Sequence, residues 1–334
     1  MRSRAFASFL VLASLPLLSL FAGCGSRTGL LGEGEQDPVD ASPGRDARID
    51  SRRPDAADVE LPFDALPPID VRPPPIDGNF RSNCPDAGAT LIYVVTQTND
   101  LYSFYPPDLA FTRVGTLACP TSTTGATPFS MTVDRKGIAY VVFTNGDLFR
   151  VSTATAACAT TTFTHGQHGF TTFGMGYAAN TNDPGETLFV AQNDLGIAGS
   201  GSASGGLGMI DTATMSLEFI GPFFPRITPP ELTGTADGRL FAWTPDPSPS
   251  TNGSHLYEID KGTSKVLAEN RLAVGSPNNA FAFAHWGGQF WIFTGTGGPS
   301  TVTRFDPSTN NEADVATLGQ TIVGAGVSTC APSP

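Results

Sequence analysis

Five times along the chain a glycine in a turn is followed at once by a short run of β-branched and aromatic residues, at Gly88, Gly137, Gly185, Gly238 and Gly288. The intervals are 49, 48, 53 and 50 residues. Recurrence at this spacing marks a repeat architecture, in which each unit buries its apolar face against its neighbours. The runs are Leu91–Val95, Ile138–Phe143, Thr187–Ala191, Leu240–Trp243 and Phe290–Phe293. Each has the length and composition of a buried strand, is too short for a helix and lacks a 3.6-residue period.

A second strand follows each run, at Leu101–Phe104, Leu148–Val151, Leu207–Ile210, Leu256–Ile259 and Val302–Phe305. The intervening turn is tight at Thr98-Asn99-Asp100 and Asn145-Gly146-Asp147. Asn-Gly tolerates the positive φ of a two-residue hairpin, so the two strands pair antiparallel. Turns rich in Asp, Ser, Thr and Pro lead to a weaker strand at Phe111–Leu117, Cys158–Phe163, Leu217–Ile220, Lys265–Ala268 and Asp314–Leu318. Ahead of the turn glycines lies a strand of alternating size. Phe129, Met131 and Val133 interleave with Ser130 and Thr132, and Phe173, Met175 and Tyr177 with Gly174 and Gly176. Period two puts the large set on one sheet face and the small set on the other, so that stacked sheets interdigitate about an axis.

The first repeat has no such leading strand, because Asn83-Cys84-Pro85-Asp86-Ala87 precede Gly88. Thr321–Ser328, at the far end of the chain, supplies one. The expected fold is all-β: a five-bladed β-propeller of four-stranded antiparallel blades over 83–334, its ring closed by the C-terminal strand pairing into blade one. A repetitive β-sandwich or an open solenoid is the alternative. Cys84 and Cys330 both fall where one short turn of blade one should be, so a Cys84–Cys330 bond would clasp the ring and leave Cys119 with Cys158. For the second pair, two free thiols are the alternative. The register puts Cys119 at the end of one outer strand and Cys158 at the start of the next, a long reach for a disulfide.

Disulfides imply an oxidising compartment. Arg2 and Arg4 precede the apolar stretch Ala5–Leu20, and Ala22-Gly23-Cys24 follow it. Residues 1–23 thus resemble a bacterial lipoprotein signal peptide, which implies a diacylated (palmitate-type) Cys24 holding the chain to a membrane. Gly25 in place of Asp implies sorting to the outer membrane, facing the periplasm or the cell surface. A plain secretory signal or a membrane-spanning helix is the rival. Residues 24–82 carry mixed Asp and Arg, with Pro67-Pro68 and Pro73-Pro74-Pro75, and no periodic apolar pattern. Such a segment buries too little to offset ordering entropy and reads as a disordered tether spanning roughly 40–45 Å.

The net charge of −12 and the scarcity of lysine, present only as Lys136, Lys261 and Lys265, argue against nucleic acid as a partner. The chain reads as a monomer. Leading strands offer mainly Ser, Thr, Gly and Ala to the axis, with Glu231 the one acid, read as a solvated entrance residue. No catalytic residues, metal ligands or cofactor are assigned, and paired carboxylates for glycosidic chemistry are not evident. His165-Gly166-Gln167-His168 has a metal-like spacing but no adjacent Cys or carboxylate, so loop polarity is the default.

In this topology the crossings between blades and the turns joining each run to the strand after it emerge on one face, and recognition concentrates on such loops. The candidate ligand-face residues are His165, His168, Phe223, Phe224 and Arg226, the aromatics and arginine being favoured interface anchors. Both phenylalanines packing beneath their proline-braced loop is the competing reading. Through Ala236-Asp237-Gly238-Arg239-Leu240-Phe241 and Leu256-Tyr257-Glu258-Ile259-Asp260, residues 83–334 resemble secreted bacterial β-propellers with YVTN-like or quinoprotein-like repeats. That resemblance implies the propeller lipoproteins of bacterial envelopes and hardly a function. The expected role is an envelope-anchored binding or scaffolding module for an extracytoplasmic protein or glycan. The alternative is a hydrolase or lyase with a loop-built active site.

Overall fold

The strand that blade one lacks at its start is supplied by the end of the chain. The structure, a computed structural model, describes Cys84 and residues 90–193, 205–246, 253–275 and 280–333. Blade one contains β1 (Ile92–Thr96), β2 (Asp100–Tyr105) and β3 (Ala110–Thr116); blade two contains β4 (Pro128–Val133), β5 (Ile138–Phe143), β6 (Leu148–Ser152) and β7 (Cys158–Thr160). Blade three contains β8 (Phe173–Ala179), β9 (Glu186–Gln192), β10 (Leu207–Asp211) and β11 (Ser216–Gly221). Blade four contains β12 (Glu231–Gly234), β13 (Leu240–Pro245), β14 (Ser254–Ile259) and β15 (Val266–Leu272); blade five contains β16 (Ala280–Trp286), β17 (Gln289–Gly295), β18 (Ser300–Asp306) and β19 (Asn311–Leu318). Last comes β20 (Ile322–Val327), which pairs antiparallel with β1 so that blade one is ordered β20-β1-β2-β3. The fold is a closed five-bladed propeller of four-stranded antiparallel blades.

The size alternation in the inner strands determines where the cores sit. Met131 and Val133 of β4 pack with Tyr93 and Val95 of β1, while Met175 and Tyr177 of β8 pack with Tyr140 and Val142 of β5. Phe283 of β16 packs with Phe241 and Trp243 of β13. Each cluster therefore lies between two blades, and stability depends on ring closure as much as on any one sheet. On the opposite face, the small residues let inner strands meet backbone to backbone. A Cβ added at Gly174 would lie 2.2 Å from the Pro230 carbonyl oxygen, and one at Gly326 2.6 Å from the Thr132 Cα.

Blade twist explains a reach that the linear register makes look too long. It carries the end of each outer strand toward the start of the next. Cys119, beyond β3, meets Cys158 at the head of β7 with a Cα–Cα distance of 5.1 Å, and the two are disulfide-bonded. Other junctions are fastened by different chemistry at the equivalent place. Gln167 spans blades two and three, its Oε1 accepting from the Leu217 amide at 2.9 Å and its Nε2 donating to the Met215 carbonyl at 3.1 Å. Phe224 forms a parallel bridge with Lys265 between blades three and four. Glu312 accepts from the Ala273 and Val274 amides, at 2.7 and 2.9 Å, between blades four and five. Cys84 and Cys330 are bonded at the turn of blade one, with a Cα–Cα distance of 5.7 Å. Two disulfides mark a protein of an oxidising, non-cytoplasmic compartment.

The fourth strand of blade two, β7, is shorter than its sequence suggests, ending at Thr160 rather than Phe163. The Thr161 side chain ends it by donating its hydroxyl to the Leu148 carbonyl at 2.7 Å.

Candidate functional site

The loop-face residues do not assemble into one site. His165 and His168 are exposed on the crossing between blades two and three. His165 packs against the hairpin turn before β6, where a Cβ on Gly146 would come within 2.6 Å of its own Cβ. That turn is knotted by Asp147, which accepts from the Ser122 amide at 2.6 Å, the Ser122 hydroxyl at 2.9 Å and the Asn145 side-chain amide at 2.8 Å. His168 sits at φ 50° between Gly166 and Gly169, both also at positive φ. Among the described residues no three His, Cys, Asp or Glu side chains are grouped to hold a metal ion.

Phe223, Phe224 and Arg226 lie on the next crossing, where backbone alternation separates them. Phe223 is 1% exposed and packs with Ile227 and Leu232, so it is a core residue rather than a ligand contact. Phe224 is 53% exposed and lies against the outer edge of blade four through its bridge to Lys265. Arg226 is exposed. Cys24 and residues 194–204, 247–252 and 276–279 lie outside the described residues.

Glu231 is not a solvated entrance residue. It is 3% exposed and accepts from the Ser130 hydroxyl at 2.6 Å, joining blade four to blade two. The cause is the inner sheet edge, whose unpaired N–H groups face the axis and require partners. Thr132 takes the Tyr177 amide and Thr233 takes the His285 amide, each at 3.1 Å. Glu231 belongs to this set of edge caps. Burial pushes its carboxyl well above the usual range, more than the Ser130 hydroxyl and the Met175 amide pull it down. A raised folded-state pKa gives full stability below the unfolded value near 4.5 and loss as pH rises toward the folded value. Glu231→Gln, which keeps the shape and stays neutral, should therefore gain stability relative to the natural chain as pH increases from 4.5. Thermal melts of both chains from pH 4 to 8 check this, and parallel pH profiles would contradict it.

Two polar clusters carry no sequence signal. On the face of the first turns, the Arg135 guanidinium donates through Nε to the Thr329 hydroxyl at 2.6 Å and through Nη1 to the Pro184 carbonyl at 2.5 Å. Its backbone amide and the Thr329 hydroxyl both donate to Glu186, at 2.7 Å each. Burial raises the pKa of Glu186 and of Asp134 nearby, against hydrogen bonds that lower them. The network joins the turns of three blades beside Cys330. Between blades four and five, His285 stacks on Phe241, and burial pushes its imidazole down to about 4, leaving a neutral aromatic.

The second cluster is on blade four. Each ring nitrogen of His255 faces a carboxylate, Nδ1 with Glu269 at 2.6 Å and Nε2 with Asp246 at 2.5 Å, while Arg271 also reaches Asp246 at 3.3 Å. Glu269, opposed by burial and helped by Asp246, raises the His255 pKa above 6.5. The stability from this clamp is complete below pH 6.5 and is lost as pH rises through the folded-state value. His255→Gln should cost roughly 1.5–3 kcal/mol at pH 6 and less at pH 9. Urea titrations at the two pH values test it, and an equal cost at both would contradict a charged clamp.

No protein-family model and no curated protein matches the sequence. Similar solved structures include a chain of the nidogen/laminin complex, at 11% identity and TM-score 0.44, covering 71% of this chain and 97% of that one. They also include the Dos1 propeller, at 12% identity and TM-score 0.38 over 72% and 71% of the two chains. TolB from Acinetobacter baumannii matches at 11% identity and TM-score 0.37, over 72% and 55%. Likenesses at these scores carry nothing about function.

Proposed function

We propose that the protein is a lipid-anchored β-propeller of the outer membrane, attached through Cys24, that acts as a binding or scaffolding module for an extracytoplasmic protein or glycan. The observation that supports the reading most is the packed axis. Inner strands touch backbone to backbone at Gly174 and Gly326, and Glu231, Thr132 and Thr233 are committed to capping sheet edges. Such a ring works as a rigid frame, and its loops carry the variation available for recognition. Phe224 and Arg226 are the exposed anchors for a partner. In membrane fractionation the Cys24→Ser chain should move to the soluble pool, and continued membrane association would overturn the anchor. Against envelope proteins and a glycan panel, the Phe224→Ala/Arg226→Ala double variant should bind roughly tenfold or more weakly than its parent. Equal binding by both chains would remove this crossing from the interface.

A further inference from the structure

The turn face carries an exposed aromatic patch where blades five and one meet. Tyr105 ends β2 and is 43% exposed, and its ring meets that of Trp286 edge-on with centroids 6.3 Å apart. Leu109, 37% exposed and held at φ 54°, lies in the same turn, with Asp108 exposed beside it. The root of the N-terminal segment lies next to this patch. Trp286 donates its indole N–H to the Thr90 carbonyl at 2.6 Å, and the Gly287 amide donates to Pro332, two residues from the disulfide that holds Cys84.

Upstream, Pro67-Pro68-Ile69-Asp70-Val71-Arg72-Pro73-Pro74-Pro75-Ile76 favours polyproline II, which repeats every three residues. At that period Pro68, Val71 and Pro74 form one apolar ridge, with Arg72 on a neighbouring face. Paired aromatic rings receive such ridges well, because a polyproline II strand is ordered before it binds. Pro74 is ten residues from Cys84, so extended chain of at most about 35 Å bridges the gap. A tether this short gives an effective concentration near the millimolar range, at which even a contact of about 0.1 mM affinity would be roughly 90% formed.

We propose that the turn-face patch of Tyr105, Leu109 and Trp286 is a docking site for the chain's own segment 67–76, seated as a polyproline II strand with Arg72 toward Asp108. Docking fixes the direction in which the tether leaves the ring and so turns the opposite, loop-bearing face away from whatever holds the N-terminus. The test places a benzoyl-phenylalanine photocrosslinker at position 105 in the full chain and maps adducts by mass spectrometry on gel-separated monomer and dimer. An adduct to residues 67–76 within the monomer is expected, with a roughly tenfold loss of yield in the Pro73→Ala/Pro74→Ala/Pro75→Ala variant. Thermal melting of the variant, expected to match its parent, checks that the fold is retained. No adduct to the segment, an adduct found only between chains, or a yield insensitive to the proline substitutions would each overturn the proposal.

Discussion

Gly174→Ala should destabilise the propeller by about 3 kcal/mol or more, as a backbone clash at the axis rather than a loss of backbone freedom. The added methyl carbon would sit 2.2 Å from the Pro230 carbonyl oxygen and 2.8 Å from the Glu231 Cα. Neither is the end of a flexible side chain that could swing aside. Relief would require β8 and β12 to separate, and their separation would pull Glu231 from Ser130. Gly319→Ala is the matched control. Among the described residues nothing lies within 4 Å of its added carbon, so it should be neutral or stabilise by a few tenths of a kcal/mol. Urea titrations of the two variants separate the alternatives, since a small cost at Gly174 would mean that the inner strands are looser than their spacing here.

Removing the ring clasp should have the second large effect. Cys84 and Cys330 are 246 residues apart, and the loop-entropy model assigns a bond across such a loop about 5 kcal/mol. Cys119 and Cys158 are 39 apart, for which the same model gives about 4 kcal/mol. The Cys84→Ser/Cys330→Ser chain should melt roughly 10–20 °C below the natural one, a drop larger than that of Cys119→Ser/Cys158→Ser. Calorimetry under non-reducing conditions ranks the two. The reverse order would mean that β20 pairing holds the ring closed without help from its clasp.

What could be read in the sequence was whatever the blades share. Turn glycines at a regular interval located the strands, and the large-and-small alternation around Met131 and Met175 located the interblade cores. Cys84 and Cys330 were legible because both occupy one turn of the repeat. Where two blades meet, linear register is a poor guide. Cys119 and Cys158 lie far apart along a flat sheet and come together only because twist swings the outer strands toward one another. Glu231 has no local sign of burial, since the groups that enclose it, Ser130 and the glycines of β8, come from other blades. Phe223 and Phe224 are identical in composition and opposite in fate, because the bridge to Lys265 fixes which one faces inward. The His255 clamp needed Asp246 and Glu269, which three-dimensional pairing alone brings to one imidazole.

Closure of the ring by β20 is tested most directly by native-state hydrogen exchange on the intact, oxidised chain. Amides of Ile322–Val327 hydrogen-bonded to β1 should exchange as slowly as the best-protected amides of β5, β13 and β17, through global unfolding. Exchange of β20 through a local opening, orders of magnitude faster than those strands, would contradict the closed ring.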